Sequence, residues 1–172
     1  MLKYIIPPGI LALLLIVLLA TQVTRMSLLE VIGGRAVPPS HDFESLSRPG
    51  SPNDFLMAPP GFGSSSPDEF SPEFPVAKDV LARKLMNIVK EMPRSRLVKH
   101  ESDQFQFEQR SALFLFPDFF TIQVIALPGN TSTLAAYSGS VFGHSDLGVN
   151  RKRIEGLVEG LRERIIENKE LN

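Results

Sequence analysis

Residues 119–142 read FFTIQVIALPGNTSTLAAYSGSVF, two runs of mostly apolar residues on either side of a turn. Valine, isoleucine, threonine and the aromatic residues favour extended strands. Pro128, Gly129 and Asn130 favour a tight turn between the two runs. Strands joined by so short a connection pair antiparallel. The stretch therefore predicts a β-hairpin, and this hairpin decides the class of fold because it starts an antiparallel sheet.

The hairpin is followed by an amphipathic helix, predicted from about Val149 to Asn168. Its apolar residues recur three and four positions apart and form one stripe along the helix. They are Ile154, Leu157, Val158, Leu161 and Ile165. A stripe of this width must face another apolar surface, and the sheet supplies one.

A second helix and further short strands precede the hairpin. The helical spacing runs from Val80 to Met92, and Pro93 ends it. Then come RLVKHE (96–101), QFQFEQR (104–110) and SALFLF (111–116), the second with the period-two alternation of a half-buried strand. Together these patterns predict a two-layer α+β domain, in which two helices pack against an antiparallel sheet of four or five strands.

The segment from Gly33 to Pro75 has no helical or strand periodicity. It holds nine of the chain's fourteen prolines, which is typical of linkers and irregular chain. Its second half contains phenylalanines, which a free linker would not expose. We therefore predict a linker over residues 33–50 and a domain over residues 51–168, whose first part, 51–75, wraps irregularly around it.

The N-terminus predicts a membrane anchor over residues 1–32. No charged residue occurs from Tyr4 to Val23, and a helix of about 20 residues crosses the ~30 Å hydrocarbon core. The alternative is a cleaved signal peptide, but a cut after Ala20 would place Leu18 where a small residue is needed. The expected location is a single-pass protein of the inner (cytoplasmic) membrane, with its domain on the periplasmic side.

Composition argues against several classes of function. The 18 basic and 19 acidic residues nearly cancel, so no global field favours nucleic acid. The chain has no cysteine, and His41, His100 and His144 are scattered without metal-ligand spacing. No serine–histidine–acid geometry or nucleophile elbow is recognisable. The sequence thus predicts no cofactor, no metal site and no catalytic residue.

Three cations open the second predicted helix, where the positive end of the helix dipole disfavours positive charge. At 100° per residue, Arg151 and Arg153 fall at the two edges of the apolar stripe, whereas Lys152 points to solvent. Candidate partners are Asp146 and Asn150, just upstream, and Asp118, expected in the turn LFPDFF between two strands. One interpretation is structural: the arginines pair with carboxylates of the chain. The other is functional: the arginines and the helix N-terminus hold an external anion.

Four phrases carry a resemblance to a known family. They are SPN (51–53), RSALFLFPD (110–118), STLAAYSGS (132–140) and, most specifically, GHSDLGVNRKRI (143–154). In this order, over roughly residues 51–163, the chain resembles the bacterial domain-of-unknown-function family numbered 1499. The resemblance implies that the signature positions are Arg110, Ser111, Phe116, Pro117, Asp118, Ser138, Ser140, Gly143, Asp146, Gly148, Asn150, Arg151 and Arg153. The candidate ligand-binding or structural residues are the polar ones among them: Arg110, Ser111, Asp118, Ser138, Ser140, Asp146, Asn150, Arg151 and Arg153.

The resemblance implies an envelope setting and no particular reaction. Phe119 stands where the family often has an acidic residue, and Gly139 where it often has arginine. The leading hypothesis is a membrane-anchored envelope protein with a non-catalytic binding or scaffolding domain, whose unidentified partner is a small anionic ligand or an envelope protein. One alternative is an enzyme or binding protein acting on a small anionic ligand, and another is a carrier of an apolar ligand.

Overall fold

The computed structural model describes Gly9 and residues 42–112, 116–141 and 144–170. The strands are β1 (Asp54–Ala58), β2 (Glu69–Phe70), β3 (Ser95–Glu101), β4 (Gln104–Arg110), β5 (Pro117–Leu127) and β6 (Thr131–Ser140). The helices are α1 (Lys78–Glu91) and α2 (Val149–Glu170), and a short 3-10 turn, Pro128–Asn130, joins β5 to β6. The predicted α+β class is confirmed.

The sheet has six strands in the order β2-β1-β6-β5-β4-β3. Strands β3 to β6 form an antiparallel meander, and β1 pairs antiparallel with β6. The outermost strand, β2, pairs parallel with β1. The prediction of four or five antiparallel strands was therefore wrong: the sheet is larger and mixed.

The two strands missing from the prediction lie in the segment expected to be irregular. Strand β1 reads DFLMA and is buried at four of its five positions on both faces of the sheet, so its apolar run shows no alternation. Strand β2 is only two residues long, and its Phe70 is 64% exposed instead of packed. The sequence pattern did not predict either strand, because prolines and serines surround both.

Both helices pack on one face of the sheet. The alternation of the strands directs Phe55, Phe107 and Phe120 to this face, where they form the main core with Leu81 and Leu85 of α1. The apolar stripe of α2 is part of the same core. Rings of Phe107 and Phe120 stack with centroids 4.9 Å apart.

The opposite face of the sheet is covered by chain that precedes and follows β1. Phe43 and Leu46 are buried against Leu56, Ala58, Ala135 and Tyr137, with Phe62 packed alongside. Gly63 makes this close contact possible: its φ is +75°, and a Cβ atom there would lie 2.6 Å from the carbonyl oxygen of Phe43. Packing onto the domain therefore begins before residue 51, within the predicted linker.

The connection from β4 to β5 differs from the predicted strand SALFLF. Ser111 closes it: its backbone N–H donates to the Phe116 carbonyl oxygen (3.0 Å), and the Phe116 N–H donates to Ser111 Oγ (3.1 Å). Residues 113–115, including Phe114, lie outside the described residues. Strand β5 begins at Pro117, so Asp118 lies in a strand and not in the predicted turn.

The predicted anchor, residues 4–23, also lies outside the described residues apart from Gly9. In the part of the chain that the structure describes, no helix is both long enough and apolar enough to span a bilayer.

Candidate functional site

A buried arginine lies at the junction of α2 with the sheet. Arg153 is 7% exposed. Its Nη2 donates to Asp118 Oδ2 at 2.7 Å, its Nε to Gln109 Oε1 at 2.6 Å and its Nη1 to Ser138 Oγ at 2.7 Å. Nη1 also donates to Asn150 Oδ1. The guanidinium thus joins helix α2 to three neighbouring strands.

Asn150, one turn earlier in α2, is completely buried and uses both ends of its amide. Its Nδ2 donates to the Asn53 carbonyl oxygen at 2.7 Å and to Ser140 Oγ at 3.1 Å. Its Oδ1 accepts from Ser138 Oγ at 2.7 Å as well as from Arg153. We call this set of side chains the polar hub: Gln109, Asp118, Ser138, Ser140, Asn150 and Arg153.

Register explains why these residues meet. Gln109 is directly opposite Asp118, and Asp118 is opposite Ser140, so the three form one row across β4, β5 and β6 on the helix face. The carbonyl oxygen of Asn53, at the start of β1, extends the row by accepting from the Ser140 N–H at 3.0 Å. The first turn of α2 lies over this row.

Asp146 holds the start of α2 in place. Its Oδ1 accepts from the Gly148 N–H at 3.0 Å and its Oδ2 from the Asn150 N–H at 2.6 Å. A carboxylate at this position satisfies free backbone donors and complements the helix dipole. The preceding turn has positive φ at Leu147 (54°) and Gly148 (78°). The chain therefore reverses sharply to enter the helix, which aims Asn150 and Arg153 at the sheet.

The three cations of the motif have three different surroundings. Arg153 is in the hub, and Lys152 is exposed. Arg151, expected at the edge of the interior, has a side chain 48% exposed. Its Nη1 lies 3.3 Å from Glu69 Oε2 and 3.1 Å from Glu155 Oε1, and its Cζ lies 4.4 Å from the centroid of the Phe55 ring. Both arginines were expected at edges of the apolar stripe, but only Arg153 is buried.

Arg151 borders an open cleft of about 690 Å³ beside the N-terminal end of α2. Its lining includes Arg48, Ser51, Asp54, Phe55, Asp68, Asp146 and Arg151. The charges of this lining are mixed, with two arginines and three aspartates. We refer to it below as the cleft.

One wall of the cleft is an ion-pair cluster around Arg48. Arg48 Nε and Nη2 donate to the two oxygens of Asp54 at 2.8 and 2.9 Å, and Nη2 lies 2.7 Å from Asp68 Oδ2. The bonds to Asp54, and then those to Asp68, raise the pKa of Arg48. Burial and the nearby Asp54 carboxylate, which also hydrogen-bonds the phenol, raise the pKa of Tyr137. The positive charge of Arg48 is therefore paired with the carboxylates of Asp54 and Asp68 in this wall of the cleft.

Besides Asp146 and Arg151, two more predicted site residues, Arg110 and Ser111, are not part of the hub. Arg110 is on the opposite face of β4, where its Nε lies 2.6 Å from Oε1 of the buried Glu108, which also pairs with Arg96. Ser111 closes the β4–β5 connection. Gly143, a signature position, lies outside the described residues.

Gln109, a member of the hub, and Asn53, which accepts from it, were not among the predicted site residues. Gln109 continues the alternation of Phe105 and Phe107 in β4, so a polar side chain at this position of the core face was the available signal. Asn53 contributes a backbone carbonyl, which the side-chain pattern cannot reveal.

The departures Phe119 and Gly139 are cross-strand neighbours. Phe119 is opposite Gly139 on β6 and Glu108 on β4, and Gly139 is opposite Asp54 on β1. An acidic residue at position 119 and an arginine at position 139 would lie side by side on adjacent strands. Here Phe119 is 1% exposed, and the Tyr137 hydroxyl lies 3.3 Å from where a Cβ atom of residue 139 would be. These two positions therefore carry no charge in this chain.

The described residues contain no group of three or more acidic or histidine side chains arranged to hold a metal ion. His100 stacks on Phe105 with ring centroids 4.3 Å apart. Its ring packs against the edge of the core.

The fold and the polar hub define a small α+β domain whose buried polar residues join a helix to a sheet. The chain belongs to the family described as "Protein of unknown function (DUF1499)", whose model matches residues 46–161. The match includes every residue of the hub and begins at Leu46, which packs on the far face of the sheet. No curated protein is significantly similar to the chain.

Proposed function

We propose that this chain is a membrane-anchored envelope protein whose α+β domain is a non-catalytic binding or scaffolding module. Residues 4–23 would hold it in the inner membrane, with the domain on the periplasmic side. The apolar run of the N-terminal sequence supports the anchor. The polar hub supports the non-catalytic domain.

The proposal rests on one observation: polar side chains at the signature positions form hydrogen bonds and ion pairs within the chain. A general base must be free to take a proton from a substrate. Asp118 is buried and paired with Arg153, and Asp146 accepts two backbone N–H groups. Arg153 donates to four side chains of the chain itself. These groups already have partners within the fold. The cleft and the surface of the domain are then the parts that can bind a partner.

Fractionation tests the anchor. The full-length protein should sediment with membranes and stay there after carbonate extraction, because about 20 apolar residues outweigh the cost of spanning the bilayer. N-terminal sequencing of the recovered protein should find the initial segment retained. A mature chain that starts at Thr21 would refute the anchor and indicate a signal peptide.

A second candidate function is binding of a small anionic ligand in the cleft. The supporting observation is Arg151, whose half-exposed guanidinium borders the cleft and contacts Glu69 and Glu155 through one nitrogen only. Arginine binds carboxylates and phosphates through paired N–H groups. Against this candidate, Asp54, Asp68 and Asp146 also line the cleft, and their charges oppose an anion.

Thermal denaturation with added phosphate or acetate tests this candidate. A ligand that binds only the folded chain stabilises it by RT ln(1 + [L]/Kd), so a saturable rise in melting temperature is expected if the site exists. The Arg151→Ala variant should lose that rise, while the Lys152→Ala variant should keep it. An equal response of all three proteins would mean that Arg151 holds no anion.

Carriage of an apolar ligand is not part of the proposal. Phe107, Phe119 and Phe120 are at most 1% exposed. Side chains buried to this degree are most simply explained as core.

A further inference from the structure

One face of α2 is turned to solvent, opposite the apolar stripe that packs on the sheet. On this face, exposed residues recur alternately three and four positions apart, which is the spacing of the contact positions in a pair of packed helices. They are Val149, Lys152, Gly156, Glu159, Glu163 and Ile166. We call these residues the outer stripe.

Three residues of the outer stripe are unusual for a helix face that contacts only water. Val149 is 46% and Ile166 58% exposed, although both are apolar. Gly156 lies inside the helix, where glycine is destabilising relative to alanine. A Cβ atom at this position would meet nothing within 4 Å, so packing within the described part of the chain does not require a glycine there.

The surface on both sides of α2 is concave near the middle of the outer stripe. A groove of about 370 Å³ separates the helix from β2, and one of about 320 Å³ separates it from the end of α1. Lys152 and Gly156 line both grooves. The helix therefore forms a ridge that a second helix can approach.

Two copies of the outer stripe match each other when they pack antiparallel, with a two-fold axis midway between Gly156 and Glu159. Val149 then faces Ile166 of the second copy, and Lys152 faces Glu163 of the second copy. Gly156 faces Glu159 of the second copy and leaves room for its side chain. Because the two-fold axis repeats every contact, the match includes two apolar contacts and two pairs of opposite charges.

Lys152 and Glu163 are available for these charge pairs. Both are exposed, and neither forms an ion pair with a residue that the structure describes. Other charges on α2 already have partners: Arg162 pairs with Glu159, and Arg164 pairs with Glu91 of α1. The two unpaired charges of the outer stripe are thus of opposite sign, and each lies where the antiparallel match needs it.

Other arrangements of the two helices match less well. A shift of seven residues in one direction places Val149 opposite Glu159 of the second copy, and the opposite shift places Glu159 opposite Glu163. A parallel pair places each Lys152, Glu159 and Glu163 opposite its own copy. Like charges in contact are destabilising, so the sequence favours a single antiparallel register.

We propose that the outer stripe is the interface of a two-fold homodimer, in which α2 packs antiparallel on α2 of a second copy of this chain. Packed helices of this kind lie about 8–10 Å apart. Contact along one helix pair is small beside the roughly 1,600 Å² of a standard protein interface, so the dimer should dissociate on dilution. This inference goes beyond the proposed function and does not depend on the membrane anchor.

Engineered cysteines test the dimer, because the natural chain has none. The full chain with both Val149→Cys and Ile166→Cys is oxidised in whole cells and run on a non-reducing gel. The two positions are about 25 Å apart along one helix, too far for a disulfide within the chain. In the dimer each faces the other across the interface, so a disulfide-linked dimer is expected.

The matched controls carry one cysteine each, Val149→Cys or Ile166→Cys. In the antiparallel dimer the two copies of either cysteine are again about 25 Å apart, so neither control should give a linked dimer. Equal linking in the controls and in the double variant would show random collision and would overturn the proposal, as would no linking in any of the three.

Charge reversal tests the register. Adding Lys152→Glu or Glu163→Lys to the double-cysteine chain makes both charge pairs repulsive, which should weaken association about tenfold. The two reversals together restore opposite charges and should restore the yield of linked dimer. Lys90→Glu, at an exposed position of α1, changes the net charge as Lys152→Glu does and should leave the yield unchanged.

The results distinguish this dimer from other associations and from the anchor. Reversals that each lower the yield without restoring it in combination would overturn the antiparallel pairing. Linked species larger than a dimer would overturn the two-fold symmetry, because a two-fold interface closes after two copies. Membrane fractionation of the same cells reports on the anchor alone, so failure of the anchor leaves the gel result unaffected.

Discussion

Arg153 keeps its charge in the interior because its neighbours replace the water it has lost. An unpaired buried guanidinium would cost several kcal/mol, and attraction to one carboxylate offsets that cost only with good geometry and further hydrogen bonds. Asp118 supplies the opposite charge, and Gln109, Ser138 and Asn150 supply neutral acceptors. Four acceptors from four places in the sequence must therefore be in position for α2 to dock.

Only part of this arrangement could be predicted at the scale of residues. Helix geometry gave the direction of Arg151 and Arg153 around the helix axis, but not what lies opposite each side chain. Arg153 faces the middle of the sheet, whereas Arg151 faces β1 and the cleft near the edge. That difference depends on β1, which the sequence pattern did not reveal.

At the scale of elements, both helices and the strands β3 to β6 followed from periodicity. Helix α2 contains two glycines, and their surroundings differ. A Cβ atom at Gly160 would lie 3.4 Å from Ile88 Cδ1 of α1, whereas one at Gly156 would meet nothing within 4 Å. The residue at 160 is close to the other helix, and the residue at 156 is open.

Gly156→Ala should therefore raise the free energy of unfolding by about 0.5–1 kcal/mol, the usual gain when alanine replaces glycine in a helix. Gly160→Ala should gain less, because the Ile88 side chain has to move. Urea denaturation of the two variants measures the difference. A loss of stability in Gly156→Ala would mean that its open surface is occupied by another part of the chain or by a partner.

At the scale of the whole molecule, the far face of the sheet links the domain to the chain that precedes it. Phe43 and Leu46 are buried there, and Arg48 forms ion pairs with Asp54 and Asp68. Composition could not reveal this packing, because the two apolar residues are separated by polar residues and followed by proline and glycine. The sequence pattern indicates where helices and strands begin and end, but not which irregular segments pack against them.

A fragment beginning at Asp42 should therefore unfold in one cooperative transition, and one beginning at Ser51 should be less stable by several kcal/mol. The shorter fragment exposes Leu56 and Tyr137 and leaves Asp54 without its counter-charge, and loss of one buried phenylalanine alone costs about 3–5 kcal/mol. Circular dichroism during urea titration compares the two. Equal stabilities would show that residues 42–50 contribute nothing to the fold.

The central claim is that Arg153 stabilises the fold and does not bind a ligand. Urea denaturation of Arg153→Ala beside Lys152→Ala, with and without phosphate, tests this claim most directly. If Arg153 is structural, Arg153→Ala should lose about 3–5 kcal/mol of unfolding free energy, because Asp118 is left as a buried unpaired charge. Lys152→Ala should stay within about 0.5 kcal/mol of the wild type, and phosphate should restore neither. An Arg153→Ala protein as stable as Lys152→Ala, together with a saturable phosphate stabilisation seen only when Arg153 is present, would contradict the claim.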